Sequence, residues 1–113
     1  MKKTFVIKRR FGIYVMPAES IVYMENMRRK VVVQTNDGLY EFYGKLSDVE
    51  KALDERFLLC HRSYMINMDK VEAMEHSRVL FDDKSSIYLG RSTYARTAKQ
   101  VSEFLEKRNE EDE

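Results

Sequence analysis

The chain has 113 residues and a mass of 13.5 kDa, enough for one core and too short for two full domains. Apolar residues make up 43% and charged residues 35%, with four Gly and one Pro, a balance that excludes disordered and fibrous classes. The net charge of +1 conceals an asymmetry: residues 106–113 hold five acids and two bases, which leaves 18 bases against 14 acids on residues 1–105.

That mild basicity falls short of a strongly electrostatic nucleic-acid binder, so any such function must rest on clusters of charge. Two stand out, Lys8-Arg9-Arg10 and Arg28-Arg29-Lys30. No apolar run exceeds four residues, against the roughly 20 that a membrane-spanning helix needs. The opening Met-Lys-Lys-Thr-Phe-Val-Ile-Lys is basic but lacks the apolar stretch of a secretion signal. The lone Cys60 cannot form an internal disulfide and suits a reducing compartment. A cytoplasmic location is expected.

Alternating, β-branched and aromatic residues predict strands at Phe5 to Ile7, Gly12 to Met16, Ser20 to Met24, Lys30 to Thr35 and Leu39 to Tyr43. Asn36-Asp37-Gly38 between the last two tolerates the positive φ of a tight hairpin loop. Ser47-Asp48-Val49-Glu50 has capping-box spacing, and Val49, Ala52 and Leu53 share a face, so a short helix is expected from about 48 to 55. Strand character returns at Phe57 to Cys60, Val71 to Met74, Val79 to Phe81 and Ile87 to Leu89, with turns at His76-Ser77 and Asp82 to Ser85. From Thr93 onward Tyr94, Ala98, Val101 and Leu105 repeat at helical spacing, with Lys99/Glu103 and Glu103/Lys107 as ion pairs on the polar side. Residues 1–105 thus form one mainly β, antiparallel domain with a short internal helix and a C-terminal helix, and residues 106–113 are expected to be an acidic, disordered tail.

Catalysis and metal binding find little support. Cys60 and His61 are neighbours on a strand and point to opposite faces, so they do not share a metal or form a nucleophile and base. Cys60 reads as a buried apolar residue and His61 as a structural one where the strand leaves the core. No Gly-rich phosphate loop or paired carboxylates appear. No enzyme activity, cofactor, metal or small-molecule substrate is expected.

The stretch from Phe57 to Val71 compresses a buried strand, a polar turn, an apolar pair and another turn into fifteen residues. It resembles the central signature of the LytTR-type DNA-binding domain of LytR- and AgrA-like regulators: a Phe leading through an apolar strand to His-x-Ser (His61-Arg62-Ser63), an aromatic or aliphatic pair, then Asn67. Ser20 to Glu25, Asp37-Gly38, Phe42 to Ser47 and Ile87 to Ser92 are similar to further family elements, so the likeness runs from residue 4 to 105. The resemblance implies an elongated stack of antiparallel sheets that presents loops, not a recognition helix, to the major groove of promoter DNA carrying paired direct repeats. It implies a transcription regulator, commonly a response regulator output domain. With no receiver domain ahead of Met1, the chain is expected to be free-standing or an excised output domain.

Carried over by position, Arg28 and especially Arg29 fall where relatives place a base-reading side chain, and an exposed Arg fork suits guanine O6 and N7. Arg62 takes the variable place in His-x-Ser, expected to touch phosphate or minor groove. Arg91, with Arg96 in reserve, supplies the third contact from a loop after the last strand. Lys30, Ser63, Tyr64, Lys45 and Lys99 add phosphate bonds. Lys8-Arg9-Arg10 is either a peripheral phosphate contact or plain surface. Asn67 is expected to stabilise a turn through its local backbone. Dimerisation on DNA and a membrane-protein inhibitor are further expectations from the family. The competing reading is a protein-interaction module that pairs with another regulator or a membrane inhibitor without binding DNA.

Overall fold

The computed structural model describes residues 4–112, with the side chains of residues 4–110. Among the described residues, ten strands and two α-helices fall into two compact units, one ending at Asn67 and one starting at Met68. Every strand pair is antiparallel, as expected where no long helix links successive strands. Among the described residues no helix is long and apolar enough to cross a membrane.

The first unit opens with the hairpin β1 (Thr4–Arg9) and β2 (Gly12–Pro17), a two-stranded sheet. A five-stranded sheet follows in the order β5-β4-β3-β7-β6, built from β3 (Ile21–Met27), β4 (Lys30–Thr35), β5 (Gly38–Tyr43), β6 (Phe57–His61) and β7 (Tyr64–Asn67). Alternation sets its inner face: Val31, Val33 and Thr35 of β4 are buried while Val32 and Gln34 between them are not. Met24, Val31, Val33 and Met65 join Phe5, Ile7 and Met16 of the hairpin in one core. Each such side chain contributes about 1.5 to 3 kcal/mol on burial. The ring of Phe5 lies 5.9 Å from that of Phe42, and Tyr14 lies 5.8 Å from Tyr40, seating the hairpin against β5.

Helix α1 (Leu46–Glu50) lies between β5 and β6 and buries Leu46 and Val49. It begins two residues earlier than the sequence implies. Lys45, not Ser47, is the N-cap and makes no side-chain capping bond, so the capping-box spacing does not set this terminus; burial of Leu46 does. The loop of the β4–β5 hairpin is Asn36-Asp37, but its positive φ sits on Gly38, at 147°. Thr35 Oγ1 secures it, accepting from the amides of Asp37 and Gly38 and donating to the Gly38 carbonyl.

Strand β7 has no counterpart in the predicted elements. Its four residues pair with β3 on one side and β6 on the other, so tertiary partners create a strand where local pattern shows only an apolar pair. Asn67 closes it. Fully buried, it donates from Nδ2 to the Ile21 carbonyl at 2.8 Å. This bond is structural and joins positions 46 residues apart.

The second unit holds β8 (Val71–Glu75), β9 (Arg78–Phe81) and β10 (Ser86–Tyr88) in one sheet, then α2 (Arg91–Asp112). His76 and Ser77 both take left-handed φ, 52° and 66°, which makes the two-residue β8–β9 turn. Residues 106 to 112, expected as a disordered tail, continue α2. Glu, Lys and Arg are strong helix formers, and Arg108 anchors this end by pairing with Asp69 at 3.1 Å. Glu113 lies outside the described residues.

Candidate nucleic-acid interface

Two turns carry most of the first unit's predicted contacts. Strands β3 and β4 pair Met27 with Lys30, so Arg28 and Arg29 form the whole turn between them, both exposed. Arg28 adopts φ 62°, which costs a non-glycine residue about 1 to 2 kcal/mol. The surroundings hold it there: Asn26 Nδ2 donates to the Arg28 carbonyl at 2.8 Å, and the Gly44 amide donates to the Arg29 carbonyl at 3.0 Å.

The second turn is Arg62-Ser63, between β6 and β7. His61 Nδ1 accepts the Ser63 amide at 3.1 Å, so the imidazole braces the turn. The Asn26 amide donates to the Ser63 carbonyl at 2.8 Å, tying the two turns together. Asn26 therefore holds both, through its backbone and its side chain, a role that no composition or spacing signal marks. Tyr64 follows; its hydroxyl donates to Glu25 at 3.3 Å. Burial, and then the Glu25 carboxylate, raise its phenol above the ordinary tyrosine range.

Between the turns lies an open concavity of 580 Å³ lined by Asn26, Arg28, Lys45, Ser47, Arg62 and Ser63 among others. Arg28 also lines a neighbouring concavity of 650 Å³ with Arg29, Lys30, Glu41 and Tyr43. Five cations thus meet one acid across the two hollows. Glu41 is already engaged: Lys30 Nζ sits 3.1 Å from its carboxylate and 5.3 Å from the centre of the Tyr43 ring. The hydrogen bond that Lys30 donates to the Glu41 carboxylate raises its ammonium above the ordinary lysine value. This exposed pair is weak enough for a phosphate to compete with it.

The structure brings Arg28, Arg62 and Ser63 to one hollow, and Arg28, Arg29 and Lys30 to the next. Arg91 and Arg96 belong to the second unit, and Arg91 is not on a loop: α2 begins with it, after Gly90, whose carbonyl accepts the Tyr94 amide. Both arginines are exposed. At about 100° per residue they sit some 140° apart, at the borders of an exposed arc with Lys99 between them. Cys60 is buried, with its thiol 3.4 Å from the Tyr64 carbonyl, and among the described residues no group of His, Cys, Asp and Glu is placed to hold a metal.

A family profile described as the LytTr DNA-binding domain matches residues 12–102. Accessory gene regulator protein A of Staphylococcus aureus strain N315 is 26% identical over 90 residues, covering 76% of this chain and 37% of that protein. Its counterpart in Staphylococcus epidermidis is 28% identical over 74 residues, covering 64% of this chain and 31% of that protein. The chain therefore spans about a third of these relatives. A solved LytTr DNA-binding domain from Bacillus cereus shares the fold at a TM-score of 0.71 and 22% identity, over 89% of this chain and 97% of that one. With most of its length matched and the mainly β architecture in common, the chain belongs to the LytTr DNA-binding domain family.

Proposed function

We propose that this chain is a sequence-specific transcription regulator that binds double-stranded promoter DNA through arginines on braced turns. The observation that carries this reading is the joining of the β3–β4 and β6–β7 turns by Asn26, which sets Arg28, Arg62 and Lys45 around one hollow. Side chains on a turn fixed by hydrogen bonds lose less freedom on binding than side chains on a mobile loop. Arg28 and Arg29 read guanine edges in the major groove, where the planar guanidinium spans O6 and N7. Arg62, Ser63 and Lys45 hold phosphates and fix the register. Arg91, or Arg96, supplies a further contact from α2. The targets are paired direct repeats, with a second copy of the chain on the second repeat.

A binding titration on the DNA upstream of its own reading frame and on a random duplex tests this. Arg29→Ala is expected to cost about 1 to 3 kcal/mol on the specific site and to relax base preference there. Equal losses on both duplexes remove Arg29 from base reading.

One observation favours the second reading, a protein-interaction module. The outer face and tip of the β1–β2 hairpin expose Val6, Phe11, Ile13 and Val15, with Phe11 91% exposed, and clustered apolar surface marks contact sites. Retention of a protein partner, such as a membrane inhibitor, with no shift of the upstream DNA at low salt would decide for it.

A further inference from the structure

We propose that the tip of the N-terminal hairpin is an additional phosphate-backbone site, which lengthens the DNA contact through Lys8, Arg10 and Tyr43. This inference rests on the DNA-binding reading and adds residues to it; Lys8 and Arg10 lie outside the stretch matched by the family profile. The sequence leaves Lys8-Arg9-Arg10 undecided between contact and plain surface. The structure gives the cluster a place. Lys8, Arg9 and Arg10 line a concavity of 520 Å³ whose other wall is Lys30, Glu41, Phe42 and Tyr43. Lys30, Glu41 and Tyr43 also line the hollow that holds Arg28 and Arg29. The two hollows therefore adjoin at Lys30, Glu41 and the exposed Tyr43 ring, one on the side of the β3–β4 turn and the other on the side of the hairpin tip.

The hairpin is fixed in that position. Arg9 donates to the Glu41 carbonyl through Nε at 3.1 Å and through an Nη at 2.6 Å, and its guanidinium lies 4.6 Å from the centre of the Tyr14 ring. Arg9 is thereby committed to the fold. Lys8 and Arg10 on either side of it are exposed, and the two-residue turn Arg10-Phe11 closes the hairpin. Tyr43 is 77% exposed, with the Lys30 ammonium near its ring.

The chemistry that fits is an extended polyanion. Across the two adjoining hollows Lys8, Arg10, Lys30, Arg28 and Arg29 meet a single acid, with which Lys30 already pairs. A small anion would need cations converging on one point, whereas these are divided between two adjoining hollows. A sugar-phosphate backbone supplies charges at regular intervals, and a tyrosine hydroxyl can donate to a phosphate oxygen. An anionic lipid surface is the competing ligand, since Phe11 and Ile13 are exposed nearby. Concavity and continuity with Arg28 and Arg29 favour the duplex.

The test is an anisotropy titration of the full chain with a 30-base-pair duplex of its upstream DNA and a random duplex of equal length, between 50 and 200 mM salt. Neutralising both side chains (Lys8→Gln with Arg10→Gln) is expected to reduce the slope of log K against log salt by about 1.8, or about 0.9 per phosphate contact. Affinity should fall by on the order of tenfold on both duplexes, with the ratio between them unchanged. Arg10→Lys keeps the charge and is expected to keep the slope. If the wild type binds and the double variant has the same slope, the hairpin site is wrong while the DNA-binding reading stands. If the wild type binds neither duplex, both fail. Capture by phosphatidylcholine–phosphatidylserine vesicles that the double variant loses, with an unchanged duplex slope, would transfer the site to a lipid surface.

Discussion

Asn26→Ala is the most informative single perturbation of the interface, because it removes no charge. The side chain makes one bond that matters, Nδ2 to the Arg28 carbonyl at 2.8 Å, while the backbone bond from its amide to Ser63 survives the substitution. A neutral hydrogen bond of this kind contributes about 0.5 to 1.5 kcal/mol. The left-handed Arg28 it restrains costs about 1 to 2 kcal/mol, so the bond and the strain are of similar size, and losing the first lets the turn relax. Stability is expected to fall by about 1 kcal/mol in a denaturant titration. Affinity for the upstream duplex is expected to fall by about three- to tenfold, since the turn must then be ordered at the moment of binding. The salt slope, measured by anisotropy at several ionic strengths, should not change, because every phosphate-binding cation is still present. A stability loss with unaltered affinity would refute the claim that the geometry of this turn serves binding, and a changed slope would show that the substitution acts through charge.

Other expectations follow from particular groups. Arg28→Gly relieves the left-handed strain and removes a base-reading cation, so stability should hold or rise by up to about 1 kcal/mol while affinity for the specific site falls by about 1 to 3 kcal/mol and base preference relaxes, as chemical denaturation and DNA titration would show. Thr97 is fully buried, with no hydrogen-bond partner for Oγ1 among the described residues; Thr97→Val should raise stability by about 1 kcal/mol in the same assay. Asp54 and Arg56 form a nearly buried pair with bonds of 2.8 and 2.9 Å. The hydrogen bond from Arg56 holds the Asp54 carboxyl below the ordinary aspartate range. A depressed pKa contributes stability above its unfolded value near 3.8, and that stability is lost as pH falls through the lower folded value. Asp54→Asn should therefore cost about 3 kcal/mol at neutral pH and abolish this acid-dependent component when melting is followed from pH 6 to 2.

How much could be read beforehand depended on how local each signal was. The β3–β4 turn was legible only in part, since strands expected to end at Met24 and to resume at Lys30 bracket Arg28 and Arg29 but leave the turn three residues too long; the β4–β5 turn was legible because Asn-Asp-Gly carries its own backbone preference. Strand β7 was not legible: four residues after a polar turn carry almost no period, and its stability comes from β3 and β6. The start of α1 was misplaced because an apparent capping box outweighed Leu46, whose burial fixes the helix. The C-terminal residues read as a solvated tail because they offer nothing apolar, yet Arg108 finds Asp69 across 39 positions. Around the candidate interface the charged clusters were visible in the sequence but their adjacency was not. Nothing in the sequence sets Lys8 to Arg10 beside Tyr43, or shows that Lys30 spends its charge on Glu41, its diagonal neighbour across the β4–β5 ladder. Arg91 shifted from loop to helix because Gly90 ends the strand region sooner than the apolar Leu89 suggests.

Amide shifts recorded by NMR during titration with the upstream duplex test the central claim most directly, since β4 carries its own control. The Arg28-Arg29 turn stands at one end of that strand and the Asn36-Asp37 turn at the other. The account predicts that residues 26–30 and 61–64 shift or broaden first, with residues 36–38 unmoved at the same duplex concentration. Perturbation centred on residues 36–38, with the arginine turns silent, would contradict it.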